Sequence, residues 1–155
     1  MDDSLNPQVI GTFFAAQLAT KHIQTHGKGG SIVMIASISS QMAVPGVRLS
    51  AYSASKGAVK MLGTALSVEL GPHNIRVNTM SPGYTKTDLL TPLKALHPKL
   101  VEMMHREPPL KRIGNRNDLA PAIVYLLSDA SSYTTGADLV ITGGLMGGRI
   151  ESPYL

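Results

Sequence analysis

The sequence predicts an α/β fold built around a parallel sheet, and three observations carry that expectation. Helix-like and strand-like segments alternate in the order helix, strand, helix, strand, helix, strand. The strand-like segments are short apolar runs bounded by turn residues, as strands buried on both faces read. Fifteen glycines and ten prolines in 155 residues supply the many short connections such a fold needs.

Residues 7–25 read as the first helix. Val9, Phe13, Ala16, Leu18, Ala19 and Ile23 recur at helical spacing, and Gly27 is a natural stop. Gly29-Gly30 turns the chain into the apolar run Ser31-Ile-Val-Met-Ile-Ala36, the first strand. A polar segment over 37–50, holding Pro45-Gly46, leads to a long helix over 51–70 with Ala54, Ala58, Met61, Leu62, Ala65, Leu66 and Val68 as its apolar positions. Gly71-Pro72 ends it, glycine suiting the left-handed residue beyond a helix and proline refusing its continuation. Ile75-Arg-Val-Asn-Thr-Met80 is the second strand, stopped by Ser81-Pro82-Gly83.

Residues 87–107 are a weaker helical region interrupted by Pro92 and Pro98, and Pro108-Pro109 breaks the chain. Asp118 is expected to cap a cleaner helix with the apolar stripe Leu119, Ile123, Leu126 and Leu127. Asp138-Leu-Val-Ile-Thr142 is the third strand, and Gly143, Gly144, Gly147 and Gly148 predict a loose tail.

Composition narrows the function. With 43% hydrophobic and 15% charged residues the chain is not of the disordered class. It has no cysteine, so neither a disulfide framework nor a thiolate metal site is open to it. The apolar run over residues 32–36, like every other in the chain, is too short for a membrane span, and the acidic start Met1-Asp2-Asp3-Ser4 is unlike a signal peptide. A single globular unit working in the cytoplasm, without a membrane partner, is expected. The net charge of +4 is mild. Its densest stretch, Arg106, Lys111, Arg112 and Arg116, is broken by prolines and has no interleaved aromatics, so no nucleic-acid partner is expected. His22 and His26 stand four apart, a spacing that can ligate zinc, but with no third ligand near them a solvated surface is expected and no metal.

The sharpest constellation is Tyr52-Ser-Ala-Ser-Lys56. Residues four apart share one face of a helix, one turn from each other. An ammonium beside a phenol favours the phenolate, and a phenol so placed can give or take the proton of an alcohol. Tyrosine and lysine at this spacing are common by chance; their context gives them weight. Upstream a strand ends in the cluster Ser37, Ser39 and Ser40, and downstream a strand ends in Asn78-Thr-Met-Ser-Pro-Gly83.

Taken together, Gly29-Gly-Ser-Ile-Val-Met-Ile-Ala-Ser37, Tyr52-Ser-Ala-Ser-Lys56-Gly-Ala-Val, Ile75-Arg-Val-Asn-Thr-Met-Ser-Pro-Gly83 and Ser131-Ser-Tyr-Thr-Thr-Gly136 resemble the last strands and catalytic helix of the short-chain dehydrogenases/reductases. The resemblance runs from Gly11 to Gly144, and its nearest flavour is the fungal group that reduces ketoses and polyols, such as sorbose reductase or NADP-dependent mannitol dehydrogenase. It implies hydride transfer between NADP or NAD and a small-molecule carbonyl/alcohol substrate. Tyr52 would then be the general acid/base. Lys56 would tune it and hold the nicotinamide ribose, and Ser37 would polarise the substrate oxygen. Ser39, thirteen residues before Tyr52, is the alternative serine. Pro82 and Gly83 would bring the backbone close to the nicotinamide, while Thr85 and Thr87 would reach the carboxamide or a phosphate. The resemblance also implies a homo-oligomer through helices 7–25 and 51–70. Substrate shape would be set by residues 89–110 and 41–49.

The departures are as specific as the matches. A catalytic asparagine of the family falls on Gln8, with Asn6 two residues earlier. The family's opening strand, its T-G-x-x-x-G-x-G turn and its N-x-A-G strand have no counterpart in place. The string Thr142-Gly143-Gly-Leu-Met-Gly147-Gly-Arg149 only mimics the glycine turn. The expectation is therefore a single incomplete Rossmann-type domain over 1–155, a partial doubly wound parallel sheet of three strands whose N-terminal βαβ half is missing. Its first strand would keep an open edge, leaving it fragile or aggregation-prone unless another chain covers it. The alternative to an active enzyme is a catalytically inactive truncated remnant lacking the dinucleotide-binding half, one that only binds other subunits. On its own this chain is expected to show no activity, and no dinucleotide binding by it is assumed.

Overall fold

The computed structural model describes residues 6–88 and 90–148. Its sheet has three strands, β1 (Gly30–Ile35), β2 (Ile75–Pro82) and β3 (Asp138–Ile141), in the order β1-β2-β3 and all parallel. The register sets Gly30 opposite Ile75 and Ile35 opposite Met80, then Thr79 opposite Asp138 and Pro82 opposite Ile141. The connections hold α1 (Gly11–His26) before β1, α2 (Ser50–Leu70) between β1 and β2, and α3 (Leu90–Leu96), α4 (Pro98–Arg106) and α5 (Arg116–Leu127) between β2 and β3. This is the α/β architecture the alternation predicts, a partial Rossmann-type fold.

Strand alternation sorts the two faces of the sheet. Ile32 and Met34 of β1 and Ile75 and Val77 of β2 join Ala16 of α1 and Val59 and Leu70 of α2 in one apolar core. Gly63 of α2 lies so close to β2 that a Cβ there would stand 2.5 Å from Thr79 Cγ2. The opposite face is covered by α5 and held by polar contacts. The Ser31 hydroxyl donates to the Leu126 carbonyl at 2.7 Å. Arg76 donates to the carbonyls of Leu126 (2.9 Å) and Ser128 (3.0 Å), satisfying carbonyls that the end of α5 leaves without helical partners.

Several local expectations are revised. The helix over 7–25 begins as a π-helical turn, Asn6–Ile10, before α1 proper. One turn is too short for its period to be read from apolar spacing. Gly27 is left-handed (φ 69°) and its N–H reaches Ile23 and Gln24, as a helix stop should. Gly71 instead is right-handed (φ −54°). Pro72 continues into a 3₁₀ turn, Gly71–His73, and Asn74 takes the left-handed position (φ 58°). β2 runs through Pro82, because the lost N–H sits at the strand's last residue. In α3 Pro92 lies in the first turn, and Pro98 opens α4, so neither interrupts a helical hydrogen bond. Asp118 is not the cap of α5. Asn115 is, accepting from Asn117 N (2.9 Å) and Asp118 N (3.3 Å), while Asp118 answers from the third position by accepting from Asn115 N (2.7 Å). The glycine tail is packed at Gly143 and Gly144, whereas Gly147 and Gly148 stand in open space as expected. Leu110 N donates to the Gly143 carbonyl at 3.1 Å, and Gly144 lies against the Pro109 ring.

Among the described residues β1 pairs on one side only. Apolar side chains stand exposed on the helices beside it, notably Phe14 (54%) and Leu18 (69%) on α1 and Met61 (61%) and Val68 (74%) on α2.

Candidate active site

The site forms at the carboxyl ends of β1 and β2, where parallel strands release the chain into loops. Ala36 N donates to the Met80 carbonyl at 2.8 Å, carrying the sheet pairing one residue past β1. Ser37 is extended and caps a 3₁₀ turn over Ile38–Ser40. Its hydroxyl oxygen accepts from Ser39 N (3.2 Å) and from the Ser39 hydroxyl (3.0 Å). Ser39 itself is buried, and Ser40 Oγ ties back to the Ser37 carbonyl at 2.6 Å.

Tyr52 lies in the first turn of α2 and Lys56 one turn later. The Lys56 ammonium is 5.8 Å from the centre of the Tyr52 ring and donates to the Ile35 carbonyl at 3.0 Å. Burial pushes the Lys56 pKa below the ordinary lysine value. Between them Ser55 is fully buried and donates to the Tyr52 carbonyl at 2.7 Å, locking the turn that presents the tyrosine.

At the end of β2, Gly83 N donates to the Ile141 carbonyl at 2.8 Å. A Cβ on Gly83 would approach Thr142 Cα to 2.9 Å, so the close pass of the two strand ends requires glycine. Thr85 bridges to Gly114 and spends its hydroxyl on the Gly83 carbonyl at 3.1 Å.

A cleft of about 340 Å³ gathers Ser37, Ser39, Tyr52, Gly83, Tyr84 and Thr85 on its walls. Val44, Val47 and Leu49 close one side, and Leu93, Leu100 and Met104 of α3 and α4 the other. The segments expected to shape a substrate therefore do border the tyrosine. Pro82 is the last residue of β2, just behind the cleft wall. Thr87 is not brought to this cleft. It lines a separate open depression of about 350 Å³ with Lys86, Asp88 and Asn115–Asn117.

Gln8 sits in the π-helical turn, which packs against α2, and its side-chain oxygen is buried without a hydrogen-bond partner. Thus the position expected for the family asparagine lies beside α2 but makes no bond to Lys56. The Asn6 side chain lies outside the described residues.

Two features escaped the sequence reading. Tyr84 walls the cleft with a buried, unpartnered hydroxyl, and its pKa is raised by burial and by the Glu107 charge. Asp138 is the hub of a polar network. Its carboxylate accepts from Thr79 Oγ1 (2.9 Å), Ser81 Oγ (2.8 Å) and Gln41 Nε2 (2.6 Å), and pairs with Lys60 at 3.4 Å. A trace of it stands in the sequence, the hydroxyls of Thr79 and Ser81 at alternate positions of β2.

The basic stretch is locally neutralised. Arg112 forks onto Asp118 at 2.7 Å through both nitrogens, and Arg116 meets Asp88 at 3.0 Å. His26 Nδ1 is 2.8 Å from the His22 carbonyl, and no group of three or more His, Cys, Asp or Glu side chains that could hold a metal occurs among the described residues. No helix among them is long and apolar enough to cross a membrane.

Comparison with known proteins gives concordant matches. A family model described as enoyl-(acyl carrier protein) reductase matches residues 1–146. The sorbose reductase sou1 of Schizosaccharomyces pombe is 43% identical over 135 residues, covering 86% of this chain and 51% of the relative. A short-chain type dehydrogenase/reductase from Mycobacterium marinum superposes with a TM-score of 0.84 at 41% identity, covering 91% of this chain and 54% of that one. A gluconate 5-dehydrogenase from Burkholderia cenocepacia J2315, solved with NADP and tartrate, superposes with a TM-score of 0.82 at 30% identity over 92% and 54% of the two chains. The chain spans about half the length of the curated relatives it matches.

Proposed function

Since the chain belongs to the short-chain dehydrogenase/reductase family, we propose that it takes part in hydride transfer between NADP(H) or NAD(H) and a carbonyl/alcohol pair of the ketose or polyol type. The observation that carries this reading is the meeting of Ser37 and Tyr52 on the wall of one cleft, with Lys56 one turn behind the tyrosine. The NADP found with the Burkholderia relative and the sorbose reductase of fission yeast support the cofactor and the substrate class.

The residues present fit the nicotinamide end of the cofactor. The Ile35 carbonyl engages one N–H of the Lys56 ammonium and leaves two for ribose hydroxyls. Gly83 and Thr85 border the same cleft with backbone, where a carboxamide would lie against Pro82 and Gly83. Thr87, which lines the separate depression, would meet a phosphate oxygen only outside this cleft. Among the described residues no glycine turn opens a helix toward a pyrophosphate. When bound, the nicotinamide supplies or takes the hydride.

In reduction the Tyr52 hydroxyl gives its proton to the substrate oxygen as that oxygen gains charge, and the phenolate recovers a proton from water. Lys56 stabilises the phenolate through space. Ser37 holds the oxygen. Both hydrogen bonds from Ser39 land on the Ser37 oxygen, which leaves the Ser37 O–H free to donate to substrate and polarises it. That pattern favours Ser37 over Ser39 as the group touching substrate. The exposed apolar positions of α1 and α2 support a homo-oligomer through these helices. The lack of cysteine agrees with work in the cytoplasm.

The deciding experiment is titration of the purified chain with NADPH, followed by nicotinamide fluorescence and melting temperature. Saturable binding, with carbonyl reduction lost in Tyr52→Phe while binding stays, supports this reading. No binding would replace this reading with that of a non-catalytic remnant.

A further inference from the structure

Beside the Ser37–Tyr52 cleft lies an open groove of about 630 Å³ in the β1–α2 connection. The two share Ser39, Val44, Val47 and Leu49 on their walls, so a ligand chain can lie across both. Arg48 lines this groove. Arg76, Arg106, Arg112 and Arg116 all have partners. Arg48 is the one arginine among the described residues with neither a hydrogen bond nor an ion pair. No acidic side chain lines the groove or the cleft. Arg48 is thus the one charged side chain on the walls of the groove and the cleft. The nearest carboxylates lie behind those walls, Asp138 bonded to Gln41 and paired with Lys60, and Glu107 beside Tyr84.

A guanidinium presents a planar fork of donors that matches a carboxylate with two parallel hydrogen bonds. We propose that Arg48 anchors a carboxylate at one end of the substrate, the other end carrying the carbonyl or alcohol to Tyr52. Within the ketose and polyol class, the substrate is then the polyhydroxy or oxo acid, of sugar-acid type, in preference to its neutral counterpart. Val44, Val47 and Leu49 face its carbon chain, and Ser39 can meet its hydroxyls. The assignment rests on the proposed chemistry at Tyr52 for the position of the reacting end, but the anion contact is measurable without cofactor or turnover.

The test is a titration of the ¹⁵N-labelled chain with D-gluconate, with the size-matched neutral polyol D-glucitol, and with D-glucitol 6-phosphate. The readouts are the Arg48 Nε–H signal and the amides of Val44, Val47 and Leu49. Gluconate should shift these saturably and bind about tenfold more tightly than glucitol. Arg48→Gln should erase that difference. The position is exposed in a loop, so the variant folds. Equal response to gluconate and glucitol, no saturable response, or an unchanged preference in Arg48→Gln overturns the proposal. Preference for the phosphate over gluconate overturns the carboxylate in favour of a phosphate ester. Failure of NADPH binding removes the oxidoreductase reading and leaves this result standing, whereas failure here leaves reduction of neutral ketones standing.

Discussion

The Lys56 ammonium donates to the carbonyl of Ile35 at 3.0 Å, tying α2 to the last residue of β1. The contact places the charge within 5.8 Å of the Tyr52 ring and takes it partly out of water. Burial then lowers the lysine pKa. The folded chain releases this proton before the unfolded chain does, so between the lowered pKa and about 10.4 the unfolded state holds more protons. Through that window Lys56 makes stability rise with pH. Direct ¹⁵Nζ titration should put Lys56 below the other lysines, and Lys56→Met should flatten the alkaline rise. A Lys56 midpoint at the ordinary value would remove the desolvated ammonium from the argument.

Ser37 and Ser39 are separable by size of effect. If Ser37 touches the substrate oxygen and Ser39 acts through it, Ser37→Ala should lower kcat by roughly 10²-fold or more, the loss typical of a donor on a developing oxyanion. Ser39→Ala should lower it by only about tenfold or less, since it removes a neutral hydrogen bond to the first serine. Steady-state rates of carbonyl reduction check both. The reverse order would hand the role to Ser39, which is buried and also lines the cleft.

The parts of this arrangement that could be read in the sequence depend on local pattern. The apolar run ending at Ile35 and the strand segment that Ser81-Pro82-Gly83 stops after Met80 mark two strands, and Tyr52 and Lys56 fall on one face of a helix by spacing alone. What escaped reading depends on contacts distant in sequence. Asp138 looks like an ordinary strand start, yet its partners Gln41, Lys60, Thr79 and Ser81 come from three other elements or turns. Gly71 and Asp118 carried the right residue types for a stop and a cap, but Asn74 and Asn115 nearby offered better geometry. The π-helical turn at Gln8 spans too few residues to show a period.

The Asp138 network joins β3, β2, α2 and the turn after Ser37 at one carboxylate that is 11% exposed. Asp138→Ala would leave the Thr79 and Ser81 hydroxyls and the Gln41 amide without their acceptor and Lys60 without its partner. A destabilisation of about 2–4 kcal/mol follows. Asp138→Asn keeps an acceptor oxygen and should cost less. Denaturant melts give the energies. Hydrogen exchange should speed at Gln41 and Met42, whose N–H groups close the 3₁₀ turn on Ile38. Unchanged exchange there in Asp138→Ala would separate the network from the serine turn.

Phe14 and Leu18 of α1 and Val68 of α2 are large apolar side chains left exposed, of the kind that association covers. If α1 and α2 meet a second copy, Phe14→Glu with Val68→Glu should convert an oligomer to a smaller species in light scattering, without loss of helix content. An unchanged mass in the double variant would send the interface elsewhere.

The Arg112–Asp118 pair sets an acid limit on the turn into α5. Hydrogen bonds from the Arg112 guanidinium, and then from Asn115 N, hold the Asp118 carboxyl at about 2. An acid whose folded pKa is depressed stabilises fully above its unfolded pKa, about 3.9, and loses that contribution as pH falls toward 2. The capping box opens in the same interval, because a protonated Asp118 is a poor acceptor for Asn115 N. Arg112→Ala should raise the Asp118 midpoint only part of the way to the ordinary value, since the Asn115 N–H still donates. Carboxyl ¹³C shifts followed from pH 6 to 1.5 report it directly. A midpoint that Arg112→Ala leaves near 2 would show the backbone N–H, not the guanidinium, to be the dominant hold.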